Sequence, residues 1–319
     1  MVKKLNIAVL MGGMSSEHEI SLISGQNALK YLDRQKYTVK PIIISKQGEW
    51  TMGGRQVAVD KALKGVDVAF NALHGEYGED GCIQGLLESF GVKYTGSGVL
   101  ASALGMDKIK SKELFQHHGL NVPESIVLDK ESDSSKINFK KLGNILVIKP
   151  AYLGSSVGIS IVDNKDKNEL RKAINKALER CNEVIIEDFI DGLEATCGIL
   201  ENVKGQKCFA LPVTEIIPPP GRFFDYEVKY DGSTQEITPA RINRSLTKKI
   251  QEAAINAHRI LGCRGYSRTD FIVRKNKIYV LEINTLPGLT KESLLPKAAK
   301  IAGIEFPDLL DIIIKNALN

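Results

Sequence analysis

Ile145-Leu146-Val147-Ile148-Lys149-Pro150, followed by Ala151-Tyr152-Leu153 and the turn Gly154-Ser155-Ser156-Val157-Gly158, reads as a buried strand that delivers a lysine to the mouth of a glycine loop. Four apolar residues precede Lys149, and an ammonium there is costly to bury unless an opposite charge meets it. Small residues let backbone N–H groups approach an anion, and the Ser155 and Ser156 hydroxyls add donors, so the loop suits phosphate. It lacks the GxxxxGK[ST] spacing of a Walker A loop. A plain turn, and a lysine that snorkels to solvent, are the structural alternatives.

Outward from this loop, strand-like runs at 158–162 and 183–189 and a charged helix at 167–179 predict a unit of antiparallel strands. A further unit begins near Asp191 and carries a polar loop over 218–239, a helix over 246–261, strands over 268–274 and 277–284, and a helical region after Pro287. Upstream, residues 6–11, 20–32, 38–44, 66–71 and 83–90 alternate strand and helix, an α/β pattern. Its glycine turns, Gly12-Gly13 and His74-Gly75, fall at strand carboxyl ends, where open parallel sheets gather ligands. Gly96-Ser97-Gly98 interrupts the alternation, and a helical run over 101–118 leads through Pro123 into the central unit. The fold class is therefore α/β (α+β), with three units at 1–97, 98–190 and 191–319. No internal repeat or low-complexity tract is visible.

The 319 residues are 43% apolar, enough for a large core, and 43 basic against 38 acidic groups leave a dispersed charge of +5. That dispersal does not imply nucleic-acid binding. No run approaches the ~18 apolar residues of a membrane span, and the apolar stretch after Lys3-Lys4 leads into Gly12-Gly13 instead of a cleavage site. The expectation is a cytoplasmic protein. Cys82, Cys181, Cys197, Cys208 and Cys263 are scattered and form no CxxC, so buried free thiols are expected, with neither a disulfide framework nor a zinc site favoured. The five histidines lack metal-ligand spacing as well.

A second constellation is Arg268-Thr269-Asp270 and Leu281-Glu282-Ile283-Asn284. Glu282 and Asn284 share a strand face, and a hairpin would bring Asp270 opposite them. Three hard oxygen donors suit Mg²⁺ more than zinc; solvated strand faces with a cross-strand ion pair are the alternative. In His74-Gly75-Glu76-Tyr77-Gly78-Glu79-Asp80-Gly81, Glu79 and Asp80 read as helix-capping acids, whereas His74 lies where the sheet should present a ligand. Ser16 and Glu19 read as a capping box, which leaves Glu17 unexplained.

Together these motifs closely resemble the D-alanine–D-alanine ligases of the ATP-grasp superfamily, over nearly the whole chain and in order. The match takes in Gly12-Gly13-Met14-Ser15-Ser16-Glu17-His18-Glu19, His74-Gly75 through Gln84-Gly85, Tyr94-Thr95-Gly96-Ser97-Gly98 with Met106-Asp107-Lys108, and the loop after Lys149-Pro150. It continues through Phe224-Asp225-Tyr226-Glu227-Val228-Lys229-Tyr230, Arg268-Thr269-Asp270 and Glu282-Ile283-Asn284-Thr285-Leu286-Pro287-Gly288.

The resemblance implies an ATP-grasp fold and ATP-dependent ligation of two D-alanines through an acyl phosphate, for peptidoglycan precursor synthesis. It implies Lys108 and Lys149 on the ATP phosphates, Lys229 near the γ-phosphate, and Glu187 and the backbone after it about adenine and ribose, with Phe189 tuning affinity. Two Mg²⁺ (or Mn²⁺) ions would be held by Asp270, Glu282 and Asn284. Glu17 would meet the ammonium of the first D-alanine beside His74. Ser155, Tyr230 and Glu194 would tie the glycine loop, whose Ser156 also faces the nucleotide, to a mobile loop. Arg268 and the Gly288 N–H would hold the oxyanion, and Ser293 and Leu294 would contact the second amino acid. A homodimer is implied by resemblance alone. Tyr230 in its Glu227-Val228-Lys229-Tyr230 setting resembles the pattern of D-alanine-adding members, against relatives that add D-lactate or D-serine. A nucleotide sensor without turnover would have lost an acid or Arg268. A dinucleotide-binding dehydrogenase would need GxGxxG spacing and an acid near Ile42-Ile43-Ile44-Ser45.

Overall fold

Uninterrupted apolar runs place β1 (Leu5–Gly12) and β5 (Val68–Asn71) at the centre of a sheet covered on both faces, and both are buried along most of their length. The computed structural model describes residues 4–132, 137–154, 158–219 and 234–319. β2 (Tyr37–Ile44) runs parallel to β1, with Leu5 opposite Tyr37 and Gly12 opposite Ile44. β5 and β6 (Lys93–Tyr94) extend the parallel part on the other side. A short antiparallel pair, β3 (Trp50–Met52) and β4 (Arg55–Gln56), completes the order β4-β3-β2-β1-β5-β6. It carries no apolar alternation and was not expected from the sequence. Helices α1 (His18–Tyr31), α2 (Val59–Leu63) and α3 (Cys82–Ser89) belong to this part of the chain.

The helical run expected over 101–118 is two helices, α4 (Val99–Met106) and α5 (Lys108–His117). The break has a local cause: Asp107 leaves helical geometry and its carboxylate accepts from the N–H groups of Ile109 and Lys110 at 3.0 and 2.9 Å, an N-cap. Lys108 is thereby fixed at the head of α5.

The central sheet is antiparallel throughout, as expected. β7 (Ser125–Asp129), β8 (Ile145–Pro150), β9 (Ser160–Asp163) and β10 (Glu183–Asp188) lie in the order β7-β10-β8-β9. Helix α6 (Lys167–Leu178) covers one face with Leu170, Ala173, Ile174 and Ala177, and Asp166 caps it through Asn168 and Glu169.

The third sheet comprises β11 (Leu193–Val203), β12 (Gln206–Ala210), β13 (Thr214–Ile217), β14 (Gln235–Ile237), β15 (Tyr266–Arg274) and β16 (Lys277–Asn284). Its order is β14-β13-β11-β15-β16, with β12 beside β11. Helix α7 (Arg244–Ile260) packs Ile250, Ala253, Ala254 and Ala257 into a core with Phe271 and Val280. After α8 (Leu294–Ile301), the last helix, α9 (Phe306–Leu318), returns to the first sheet. Val9 and Phe70 of that sheet share one apolar cluster with Leu309, Ile313, Leu200 and Tyr266. This shared core fixes the carboxyl edge of the first sheet against the β15–β16 hairpin.

Candidate functional site

The carboxyl end of β1 can make its turn only with glycine. Gly12 has φ +90°, and a Cβ there would lie 2.3 Å from the Ile44 carbonyl oxygen. The Gly12 N–H donates to Ser21 Oγ, which donates to the Ala72 carbonyl, each at 2.8 Å, so β1, α1 and the end of β5 are tied together. Ser15 Oγ donates to the His74 carbonyl at 2.6 Å and accepts from the Glu17 N–H at 3.1 Å. Glu17 occupies the N-cap position of α1 without capping it, and Glu19 pairs with Lys46 at 3.5 Å. The Ser16–Glu19 capping box expected from sequence therefore does not form; Ser15 does the anchoring. Ser24 Oγ lies 2.9 Å from His74 Nε2. Burial pushes the His74 imidazole below its ordinary range, against the opposing Glu17 charge and the Leu286 backbone, so it is neutral near pH 7.

Glu79, expected to cap α3, does not do so. Its carboxylate accepts from the Gly75 N–H at 2.9 Å, while Asp80 takes the Tyr77 and Cys82 N–H groups at 2.8 and 3.0 Å. Burial, and then the Glu17 charge, push Glu79 up to about 8, with the Gly75 N–H and Arg268 opposing.

Opposite these groups stands the β15–β16 hairpin, paired in the register its sequence suggested. Asp270 faces Glu282 and Arg268 faces Asn284, so four polar groups share one face. A bulge follows Asp270 and turns the remaining strand away. Arg268 grips Asp270 with two hydrogen bonds of 2.8 Å, and Thr196 Oγ1 donates to Asp270 at 2.6 Å. Asn284 Oδ1 accepts from the Leu286 N–H at 2.8 Å. Adjacent carboxylate and amide oxygens of this kind fit a hard divalent cation.

The two halves enclose a cavity of about 330 Å³. Glu17, His74 and Glu79 line it from the first sheet; Arg268, Glu282 and Asn284 line it from the hairpin. Gly288, Ser293 and Leu294 close its end, where Ser293 Oγ sits 2.8 Å from the position a Gly288 Cβ would take. Lys108 reaches in between the sheets, its Nζ donating to the Leu153 carbonyl at 2.5 Å and lying 3.8 Å from Glu282. Gly154, the start of the glycine loop, also lines the cavity, and a Cβ there would fall 3.5 Å from Glu17 Oε1 and 3.8 Å from Glu79 Oε1.

Beside this cavity, Lys149 meets Glu187 at 2.7 Å, and Lys112 of α5 is bound to the other oxygen of the same carboxylate. The opposite charge that the Lys149 strand requires is thus supplied within the protein. Glu187 does not line the cavity, nor do Lys149, Phe189, Glu194 or Asp270. Burial would raise Glu187, but Lys112 and Lys149 hold it below its ordinary range; burial brings Lys112 down to about 8. Ser155, Ser156, Lys229 and Tyr230 lie outside the described residues. Sequence reasoning missed Lys112, the lining role of Glu79, and Glu236, which lines the cavity and pairs with Lys297 at 3.1 Å. The glycines around Glu79 were its one available signal. No helix among the described residues is long and apolar enough to cross a membrane.

A largely parallel sheet facing two antiparallel sheets, with Lys108, Glu282 and Asn284 converging on the cavity between them, fits a ligase of the ATP-grasp type. A family model described as the D-ala D-ala ligase C-terminus matches residues 114–315, and the corresponding N-terminus model matches 6–64 and 52–97. A D-alanine–D-alanine ligase of Syntrophobacter fumaroxidans is 46% identical, covering 99% of this chain and 98% of the relative. One from Leptospira interrogans is 40% identical over 98% and 99%. Among solved structures, the VanG D-Ala:D-Ser ligase from Enterococcus faecalis aligns with TM-score 0.89 at 34% identity, covering 99% of this chain and all of that one. The Bacillus anthracis D-alanine–D-alanine ligase complexed with ATP aligns with TM-score 0.82 at 37% identity over 98% and 97%. The chain belongs to the D-alanine–D-alanine ligase family.

Proposed function

We propose that this enzyme joins two D-alanines into D-alanyl-D-alanine, converting ATP to ADP and phosphate through an acyl phosphate, for peptidoglycan precursor synthesis. The observation that carries the reading is one cavity lined by Glu17 and His74 on one wall and by Arg268, Glu282 and Asn284 on the other, with Lys108 between.

Glu17 takes the ammonium of the first D-alanine, and neutral His74 beside it adds no competing charge. A carboxylate is a poor electrophile, so it first attacks the γ-phosphorus of ATP and becomes an acyl phosphate. Lys108 and Lys149, with Lys229, draw the phosphates into line. Glu187, Phe189 and Ser156 serve the nucleotide; Glu187 acts on it through the lysines it holds. Asp270, Glu282 and Asn284 would hold two Mg²⁺ or Mn²⁺ ions. When bound, such ions offset the charge that spreads over the transferring phosphoryl oxygens.

The amine of the second D-alanine, seated against Ser293 and Leu294, then attacks the activated carbon. Arg268 and the Gly288 N–H take the negative charge of the tetrahedral species. Phosphate leaves with the C–O bond electrons and takes up the proton that the attacking nitrogen gives up, and the peptide C–N bond remains. Acyl phosphates hydrolyse, so water must be kept out, which is the role of Ser155, Tyr230 and Glu194 in tying the two loops together. The functional units are 1–97, 98–190 and 191–319, with α9 from the last packed on the first. Family likeness further supports a cytoplasmic homodimer without nucleic-acid or membrane partners.

The likeness to a D-Ala:D-Ser ligase supports a second reading, in which D-serine is the acceptor. Phosphate release from Mg-ATP with D-alanine alone, and then with D-serine or D-lactate added, separates the two when each product is weighed by mass spectrometry. D-alanyl-D-alanine from D-alanine alone is expected; release only on adding D-serine would move the acceptor specificity, and no release at all would remove the ligase reading.

A further inference from the structure

Away from the cavity, β11 and β12 form a hairpin in which Glu201 faces Cys208, and α7 lays His258 across that face. His258 is 1% exposed and Cys208 7%. The His258 ring is oriented by Ser267 of β15, whose Oγ lies 2.7 Å from Nδ1. Nε2 then points at the Glu201 carboxylate at 3.6 Å, beyond hydrogen-bond length, and has no hydrogen-bond partner among the described residues. The other Glu201 oxygen accepts from the Gly265 N–H at 2.7 Å. One nitrogen, one sulfur and one oxygen donor lie within 4.8 Å of one another.

We propose that Glu201, Cys208 and His258 form a binding site for a zinc-class divalent ion, separate from the hard-oxygen Mg²⁺ positions of the ligase cavity. Mixed imidazole, thiolate and carboxylate donors favour a borderline-soft ion. A hydrogen bond from Nδ1–H to Ser267 leaves the lone pair on Nε2, the state a metal-bound histidine needs. In the ion-free chain the Ser267 hydroxyl can donate to Nδ1 instead, which puts an N–H on Nε2 facing Glu201, and a bound cation takes the place of that proton. Ligand atoms sharing one tetrahedral ion are roughly 3.3–3.8 Å apart, a contraction within reach of Cys208 and Glu201 side-chain rotation. A thiolate and a carboxylate also neutralise the dication, so the buried site carries no net charge. The ion would join β11, β12 and α7, with a water in the fourth position that three protein donors leave open.

The test titrates chelator-treated full-length enzyme, in saturating Mg²⁺, with Co²⁺ while reading absorption. One equivalent is expected to produce a thiolate-to-cobalt charge-transfer band with tetrahedral d–d bands, both removed by one equivalent of Zn²⁺. Cys208→Ser loses the charge-transfer band, whereas the double variant Cys82→Ser, Cys181→Ser keeps it. Ser267→Ala weakens Zn²⁺ binding about tenfold. If Cys208→Ser folds poorly, Glu201→Gln reads the same site, with Zn²⁺ affinity falling at least about tenfold. Absence of the band in the wild type, its persistence in Cys208→Ser, or unchanged affinity in Glu201→Gln would overturn the site and leave His258 and Glu201 as a pair sharing a proton.

Discussion

Lys149 Nζ lies 2.7 Å from Glu187 Oε2, and Lys112 is bound to the other oxygen, so one buried carboxylate carries two buried lysines. All three belong to the joint between α5 and the central sheet. Glu187→Gln removes the one carboxylate that both buried ammonium groups contact and should cost about 3–5 kcal/mol of stability. Adding Lys112→Met to it removes one of the orphaned charges and should recover part of that loss. Urea unfolding of the three proteins measures both effects; equal midpoints for wild type and Glu187→Gln would dismiss the arrangement. ATP should raise the melting temperature more in Glu187→Gln than in the wild type, because its phosphates replace the missing charge.

Glu79 titrates near 8 in the folded chain against 4.5 ordinarily, because burial and the Glu17 charge penalise its anion. Between those two values the folded state keeps a proton that the unfolded state has released. Stability therefore declines as pH rises through that window and levels off above it. Glu79→Gln keeps the shape without the charge, so it should gain on the wild type with rising pH, by on the order of a few kcal/mol near pH 8. Urea midpoints for both proteins at about pH 5 and pH 8 check the sign: a difference that does not grow with pH refutes it.

Three features of the site were legible in sequence for one reason: they are short-range. The face shared by Asp270, Glu282 and Asn284 follows from strand period and a two-residue turn between adjacent strands. The turns at Gly12 and His74 follow from their places at the ends of apolar strands. Glu79, Lys112 and Glu236 were not legible, because each acquires its neighbour from another element: Glu17 from the start of α1, Glu187 from β10, Lys297 from α8. The same holds for Glu201, Cys208 and His258. No CxxC or His spacing announces them, since a hairpin and a helix 50 residues further on bring them together. The break at Asp107 was obscured by helix-forming residues on both sides of one capping aspartate.

Glu282 pairs across the hairpin with Asp270 and lies 3.8 Å from Lys108, so under the proposed function its carboxylate would serve both the divalent ions and the phosphate-binding lysine. Glu282→Gln keeps the oxygen and loses the charge, and should raise the Mg²⁺ concentration for half-maximal rate at least about tenfold. Glu282→Ala should lower kcat by about 10³ or more. Rates measured across a Mg²⁺ titration at saturating D-alanine and ATP test this. An unchanged Mg²⁺ requirement in both variants would refute the metal assignment.

Arg268 holds Asp270 with a two-pronged contact, both bonds at 2.8 Å, while lining the cavity on the same strand face. The proposed function therefore gives it two separable tasks: orienting an acid that would serve the metal, and presenting positive charge to the oxyanion. Arg268→Lys preserves the charge but not the fork, and should lower kcat about 10²–10³-fold. Its effect on Mg²⁺ dependence should be small if the oxyanion task dominates, because Thr196 still donates to Asp270 at 2.6 Å. Stopped-flow phosphate release alongside dipeptide formation distinguishes the steps. A loss confined to dipeptide formation, with acyl phosphate diverted to hydrolysis, is the expected pattern. An equal slowing of ATP cleavage and ligation would instead assign Arg268 to phosphoryl transfer through Asp270.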